Sequence, residues 1–266
     1  MKKIALFLFH GLVFVLLTIL TQVGGVIYLL SIWMARKWPV KPRYKTLLVF
    51  LALYLFVTFL LVPPVASVLG REKLSHTSKI KPAFFLTDLL NRNYVRPEMN
   101  KMLHEAENRL AGTAIEIRYL DANFPFCDGF PLLPHLSHND GKKIDIAFVY
   151  QTRDGKITGK QKSVSGYGVF EGPKPGEPNQ MRQCRNRGYR HYGFTRYLTL
   201  GRINSKLVFS ASGTKRLIES FLGSKRLGKI FIEPHLKQRL HLTDPRIRYQ
   251  GCRSVRHDDH IHLQLR

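Results

Sequence analysis

Three histidines lie within six positions in the stretch RHDDHIHLQLR (256–266), with two aspartates among them. Histidine can bind a metal through a neutral ring nitrogen or carry protons near neutral pH. Side chains two positions apart in a strand share a face, so His260 and His262 point the same way and Ile261 points into the opposite layer. By itself this pattern is compatible with a metal site and also with a polar strand face that tolerates histidine.

A second motif lies in LPHLSHNDGKKIDIAF (133–148), where His138 and Asp145 flank Gly141. Glycine can adopt a turn conformation closed to other residues, so the chain can reverse here and bring the two side chains together. Two histidines and one carboxylate form a catalytic zinc set whose fourth position is open to water. The cysteines do not have CxxC spacing, which disfavours a cysteine-rich structural zinc site.

These two motifs carry a family resemblance. HNDGKKID has the pattern His-x-x-Gly-x-x-x-Asp, and HDDHIH supplies His-x-His with another histidine three residues upstream. Together they resemble the zinc peptidases that include D-Ala-D-Ala peptidases, lysostaphin-type enzymes and the Sonic hedgehog N-domain. The pattern is most similar to the penicillin-insensitive murein endopeptidase family, over roughly residues 114–266. The matching positions are His135, His138, Asp145, His257, His260 and His262.

The resemblance implies one zinc ion per chain, bound by His138, Asp145 and His262. In that family the second histidine of His-x-His is the ligand, so His260 is expected beside the open coordination position. There it can hydrogen-bond the attacking water or the developing oxyanion. His257 is expected to transfer protons, at a position where some relatives carry Glu. Support of the ligands is the alternative role for both.

Several further residues have weaker expectations. His135 is expected to support the site or contact substrate, with a solvated loop histidine as the alternative. Asp258 and Asp259 can orient imidazoles, as carboxylates often do around zinc, or cap a turn. Arg118 is a candidate for binding a substrate carboxylate. The remaining histidines of this region are expected to be surface or structural residues, namely His191, His235 and His241.

Mixed helical and strand patterns predict an α+β domain around a mostly antiparallel sheet. Residues 98–111 and 214–223 have helical spacing, and a short helix is expected in HLKQRL. Alternation predicts strands, and Asp154-Gly155 predicts a hairpin turn. A Gly- and Pro-rich surface loop is expected over 158–188. The expected strands are 114–120, 143–150, 229–234 and HIHLQL, with a strand end at 196–201.

The first 70 residues contain no Asp or Glu and two long apolar runs. About 20 apolar residues cross a bilayer as a helix, which predicts transmembrane helices at about 9–33 and 46–66. Residues 71–97 are expected to be a tether, and 98–266 the zinc peptidase domain. A cleaved signal peptide and a buried hairpin of a soluble protein are the alternatives to a two-helix membrane anchor.

A basic loop between the two apolar runs indicates how the chain is oriented in the membrane. Its five cations, from Arg36 to Lys45, outnumber Lys2 and Lys3, so the positive-inside rule puts the loop in the cytoplasm. The start of the chain and the C-terminal domain are then expected on the periplasmic or extracellular side of the inner membrane. In an oxidising compartment two of the three cysteines can pair, although the sequence does not choose among Cys127, Cys184 and Cys252.

Residues 71–266 hold 35 Lys and Arg against 18 Asp and Glu, a net charge of +17. Such a charge predicts an anionic partner, with an ordinary solvated surface as the alternative. Outside the membrane, acidic wall polymers and phospholipid head groups are expected rather than nucleic acid. The oligomeric state is open.

The predicted function is therefore hydrolysis of amide bonds in peptidoglycan stem peptides or cross-links by a membrane-anchored zinc peptidase. A non-catalytic zinc module that binds cell-wall peptides or acidic polymer is one alternative. A phosphoesterase with an His-Asp pair is another. That class needs ligands on helices and usually two metals, whereas HIHLQL alternates like a strand and Asp145 is a single carboxylate partner.

Overall fold

The computed structural model describes residues 2–39 and 44–266, so Lys41 and Arg43 of the basic loop lie outside the described residues. The apolar part of the chain forms three helices. Helix α1 spans Lys2–Thr21 and α2 spans Gly24–Lys37. Helix α3 spans Lys45–Val68 and contains a π-helical turn at Val57–Leu61. Two of these helices, α1 and α3, are long and apolar enough to cross a membrane.

The expectation of one helix over about 9–33 is wrong, because the chain reverses between α1 and α2. Gln22 has a φ of 67°, and the Gly24 N–H donates to Thr21 Oγ1 at 2.8 Å. Gly25 lies so close to Thr18 that a side chain there would collide with it. The two glycines therefore allow α2 to fold back along α1. The second apolar helix, expected at about 46–66, is confirmed within α3.

Residues 71–97 belong to the domain, so the expectation of a tether is also wrong. Strand β1 (Glu72–Lys73) pairs with β3 (Tyr94–Val95), and β2 (Ile80–Pro82) pairs with β4 (Ile117–Tyr119) in the main sheet. Ile80 is fully buried in the core, which the polar composition of this segment conceals. A short helix, α4 (Leu86–Leu89), connects β2 to β3.

The main sheet adds four strands to β2 and β4, namely β5 (Lys143–Ala147), β9 (Leu227–Phe231), β10 (Ile247–Arg248) and β11 (His260–Leu265). The six strands follow the order β10-β9-β11-β5-β4-β2. The inner pairings, from β9 to β4, are antiparallel, while both edge strands pair in parallel, so the sheet is mixed. The α+β class is confirmed.

One face of this sheet packs on two amphipathic helices, α5 (Pro97–Arg109) and α7 (Ala211–Leu222). Both were predicted to within a few residues. Alternation along β5 and β11 sends their aliphatic side chains into this core, and the other side chains of both strands onto the opposite face. The buried aliphatic residues of the two strands are Ile144, Ile146, Ile261, Leu263 and Leu265.

A small three-stranded sheet joins β6 (Tyr150–Gln151), β7 (Ile157–Thr158) and β8 (Val208–Phe209). The β6–β7 turn contains Gly155 at a φ of 85°, as the Asp154-Gly155 pair predicts. The expected strand end at 196–201 is wrong, because Arg190–Leu198 is a 3-10 helix. The loop before the 3-10 helix contains helix α6 (Gln180–Asn186). The short helix expected in HLKQRL is confirmed as α8 (Pro234–Arg239).

Several contacts attach the apolar helices to the domain, among them three hydrogen bonds. The Gln22 amide forms two hydrogen bonds with the Phe126 backbone, donating to its carbonyl at 3.0 Å and accepting from its N–H at 2.9 Å. The Tyr54 hydroxyl of α3 donates to the Leu89 carbonyl at 2.7 Å. The turn after α1 and the middle of α3 therefore lie against the domain.

A disulfide joins Cys184 of α6 to Cys252, and Cys127 is free and exposed. The disulfide ties the loop that precedes β11 to the segment between β7 and β8. Both segments form part of the cavity described below.

Candidate metal centre

Strand pairing places Asp145 directly opposite His262. In the β5–β11 register Asp145 faces His262 and Ala147 faces His260, all on the face opposite the aliphatic core. Because the register of an antiparallel pair decides which side chains meet, this pairing brings together residues separated by more than a hundred positions in the chain.

His138 reaches the same point from the loop before β5. Its Nδ1–H donates to the Ala122 carbonyl at 2.7 Å, so its Nε2 lone pair is directed at the other two residues. Gly141 has a φ of 77°, and its N–H donates to Asn123 Oδ1 at 3.1 Å. The reversal expected at this glycine is therefore confirmed.

Three donor atoms converge, and they could hold a metal ion. His262 Nδ1 lies 2.8 Å from Asp145 Oδ1 and 3.1 Å from His138 Nε2. Asp145 Oδ1 lies 3.3 Å from His138 Nε2. A tetrahedral ion with bonds of about 2.0–2.1 Å separates its ligands by roughly 3.3 Å, so these spacings suit one small cation. All three residues are buried.

The surroundings of Asp145 and His262 favour the protonation states that bind metal, which are a carboxylate and a neutral imidazole. Burial opposes ionisation of Asp145, but the neighbouring His138 and His260 lower its pKa well below the usual range. Burial lowers the pKa of His262 to about 4, although Asp145 acts in the other direction.

A hydrogen-bonded network supports Asp145 through its second carboxylate oxygen, Oδ2. The Tyr167 hydroxyl donates to Asp145 Oδ2 at 2.8 Å and accepts from the Asp121 N–H at 3.1 Å. Asp121 accepts two hydrogen bonds from Arg92, at 2.7 and 2.8 Å, and lies 3.1 Å from His135 Nδ1. His135 is therefore buried beside the centre and is not a solvated loop residue.

His260 lies next to the three donors. Its Nδ1 is 2.6 Å from Asp259 Oδ1, and its Nε2 is 3.6 Å from Asp145 Oδ2. Burial lowers the pKa of His260, but Asp145 and Asp259 outweigh this effect and raise it to about 9. Asp259 also accepts from the Gly168 N–H at 2.7 Å, so this carboxylate orients the imidazole of His260.

His257 packs against the same cluster, with ring centroids 5.0 Å from His260 and 5.7 Å from His262. Burial, reinforced by the charge of His260, lowers the pKa of His257 well below its usual range. Its backbone is fixed by Glu233, whose Oε1 accepts from the His257 N–H at 3.0 Å. The centre thus combines His260, whose pKa is raised, with His257 and His262, whose pKa values are lowered.

Two of the sequence candidates lie away from the donors. Asp258 pairs with Arg256 and lies 3.6 Å from His235 Nε2, so it supports the loop before β11. Arg118 pairs with Glu116 and donates to the Pro82 carbonyl, outside the cavity described next. The expectation that Arg118 contacts substrate is therefore not supported.

A cavity of about 510 Å³ opens above the donors. His191, expected to be a surface or structural residue, and Phe194 line it from the 3-10 helix, and the loop before β11 forms another wall. His191 Nε2 lies 3.1 Å from the Arg253 carbonyl oxygen. His235 is buried and bonds the Glu171 carbonyl, and His241 is exposed.

The sequence did not reveal Tyr167, Asp121 or Arg92. Tyr167 lies in the long Gly-rich loop between Gly166 and Gly168, which have φ values of 86° and 80°. An aromatic residue between two glycines in a predicted binding loop was the one available signal. Arg92 and Asp121 lie in unremarkable contexts and meet only in the folded chain.

No known family model matches the chain, and no curated protein matches it either.

Proposed function

We propose that this protein is a membrane-anchored zinc peptidase that hydrolyses amide bonds in peptidoglycan stem peptides or cross-links. The observation that carries the proposal is the convergence of His138, Asp145 and His262 at the floor of an open cavity that also presents His257 and His260. Two imidazoles and one carboxylate with room for a further ligand are typical of catalytic zinc rather than structural zinc. One zinc ion per chain is expected.

When bound, zinc activates water at neutral pH and polarises a carbonyl. We expect His257 to take a proton from the attacking water, and His260, which Asp259 orients, to donate a hydrogen bond to the oxyanion. The water oxygen bonds to the amide carbon, the C–N bond breaks, and an imidazole returns the proton to the leaving amine.

The substrate class rests on the resemblance of HNDGKKID and HDDHIH to penicillin-insensitive murein endopeptidases. The net charge of +17 after residue 70 supports it, because stem peptides carry free carboxylates that a cationic domain attracts. The Cys184–Cys252 disulfide is consistent with an oxidising compartment outside the cytoplasm.

Incubation of the full-length protein, in detergent, with cross-linked muropeptides tests the proposal, with products identified by mass spectrometry. Wild-type protein with zinc is expected to convert dimers to monomers. Chelator, or His262→Ala, is expected to abolish conversion, whereas His104→Ala, a change on α5 outside the site, is expected to retain it. Unchanged muropeptides from a folded, zinc-loaded wild-type protein would overturn the peptidase proposal and favour a non-catalytic binding module.

A further inference from the structure

A second, mostly apolar cavity of about 290 Å³ lies between the domain and the last turn of α1. Leu20, in the last turn of α1, forms one wall, Leu86 and Leu90 of the α4 region form another, and Leu198 and Leu200 close it. Leu200 is 63 % exposed, which leaves the entrance apolar. An apolar cavity that includes the end of a membrane-facing helix is open to hydrocarbon from a bilayer.

This cavity shares a wall with the metal centre. Leu133, Pro134 and His135 line both the apolar cavity and the cavity above the donors. His135 is 5 % exposed, and its Nε2 has no hydrogen-bond partner among the residues that the structure describes. A buried polar atom without a partner is costly, so a polar group of a bound substrate at this shared wall, and not a hydrocarbon chain, would satisfy it.

An arginine-lined cavity of about 620 Å³ adjoins the apolar one, and Tyr197 lines both. Its arginines are Arg185, Arg190 and Arg196. Within residues 2–39 and 44–266 none of the three forms an ion pair with a carboxylate. Exposed guanidinium groups without acidic partners suit a phosphate.

We propose that the apolar cavity holds the hydrocarbon chain of an anionic, phosphate-bearing membrane lipid, with the arginines on its phosphate group. Because the shared wall borders the metal centre, the substrate is then a peptide carried on such a lipid. The substrate assignment rests on the proposed peptidase function, whereas the lipid site itself does not.

Photolabelling of the full-length protein in phosphatidylcholine nanodiscs tests the lipid site. The probe is a phosphatidylglycerol with a diazirine in its acyl chain, compared with the matching phosphatidylcholine probe. Mass spectrometry is expected to find label on peptides that contain Leu133 and Leu198, several-fold more from the phosphatidylglycerol probe. Arg185→Gln with Arg190→Gln is expected to remove that preference.

Leu86→Trp, which fills the cavity, is expected to reduce this labelling several-fold, while the adjacent, exposed Phe85→Trp leaves it unchanged. Leu200→Asn makes the entrance polar at a position whose φ of 51° asparagine tolerates, so it tests the same site if Leu86→Trp misfolds. Label confined to the outer faces of α1 and α3, or equal labelling of Leu200→Asn and wild type, would overturn the lipid site.

Hydrolysis separates the substrate assignment from the peptidase proposal. A muropeptide linked to polyprenyl diphosphate is expected to show a several-fold lower KM than the same muropeptide without the polyprenyl group, and Leu86→Trp to remove the difference. Equal KM values in wild type would overturn the lipid-carried substrate while leaving the peptidase intact. Specific labelling without hydrolysis of either compound would leave the lipid site and overturn the peptidase.

Discussion

The two oxygens of the Asp145 carboxylate contact different partners in the metal centre. Its Oδ1 faces His138 and His262, and its Oδ2 accepts from Tyr167. A ligand whose second oxygen is fixed loses little freedom when it binds metal, because the orientation is already set. Tyr167 is therefore part of the metal centre in addition to the three donors.

Tyr167→Phe should lower zinc affinity by roughly 10–100-fold, the cost of losing an outer hydrogen bond to a ligand. The ring still fills the same space, so the fold should be retained. Competition with a chromogenic zinc chelator measures the change, and exposed Tyr197→Phe is the matched control. Unchanged affinity would show that Tyr167 does not orient Asp145.

Glu233→Gln tests a buried carboxyl outside the donor set. Burial, together with the charge of Asp258, raises the pKa of Glu233 from 4.5 to about 7. Between these values the folded chain holds the proton more tightly than the unfolded chain. The contribution of proton binding at Glu233 to the stability of the fold is therefore fully present below pH 4.5 and is lost as the pH rises through 7.

From about pH 5 to 8 the free energy of unfolding of wild type should fall by about 2–3 kcal/mol more than that of Glu233→Gln. Glutamine can still accept from the Tyr192 hydroxyl and the His257 N–H through its oxygen. Denaturant titrations of both proteins in detergent at the two pH values measure the difference. Parallel pH dependence would mean that Glu233 titrates normally in the folded chain.

The two motifs could be recognised in the sequence because their spacing is local, and the family resemblance then selected His262 rather than His260 as the ligand. One turn separates His138 from Asp145, and His262 lies in a strand with strict alternation. The supporting residues could not, because Tyr167 and Asp121 reach Asp145 only through tertiary folding. His135 matched the family pattern, but its burial and its bond to Asp121 required the structure.

At the scale of elements, long periodic segments were predictable and short ones were not. The α5, α7 and β11 segments have enough residues for a period to be recognised. Strands β1, β2 and β3 have two or three residues each, so their pairing depends on partners distant in the sequence. The reversal at Gln22 was missed because apolar composition alone does not distinguish one long helix from two.

The disulfide should be the main covalent support of the cavity wall. Cys184 and Cys252 are 68 residues apart, and a closed loop of this length is expected to stabilise the fold by about 4 kcal/mol. Replacing both cysteines with serine should lower the free energy of unfolding by that order. Cys127→Ser, which removes the free thiol, should leave it unchanged, and an equal loss in both variants would contradict the assignment.

At the scale of the whole molecule, the reversal at Gln22 changes the expected topology. Because α2 folds back along α1, Lys2 and Lys3 lie at the same end of the helices as Arg36, Lys37 and Lys45, away from the domain. The two-span expectation set these groups on opposite sides of the membrane. We propose instead that both basic groups lie in the cytoplasm and the domain outside, which is the orientation that the positive-inside rule favours.

Cysteine accessibility in intact cells tests this orientation. In a Cys127→Ser background, Lys174→Cys in the domain should react with a membrane-impermeant maleimide, whereas Lys37→Cys should react only after the cells are opened. Both side chains are exposed, so burial does not account for a difference. Protection of Lys174→Cys in intact cells would place the domain in the cytoplasm.

The zinc content of the full-length protein, purified in detergent and measured by mass spectrometry after removal of excess metal, tests the central claim most directly. Wild type and the control variant His104→Ala, changed outside the site, should each bind about one zinc per chain. Asp145→Asn keeps the side-chain shape but removes the charge, so it should lose far more than the roughly 10–100-fold in affinity that an outer partner costs. Wild type without zinc, or Asp145→Asn with the same zinc content and affinity as wild type, would contradict the metal centre and the peptidase built on it.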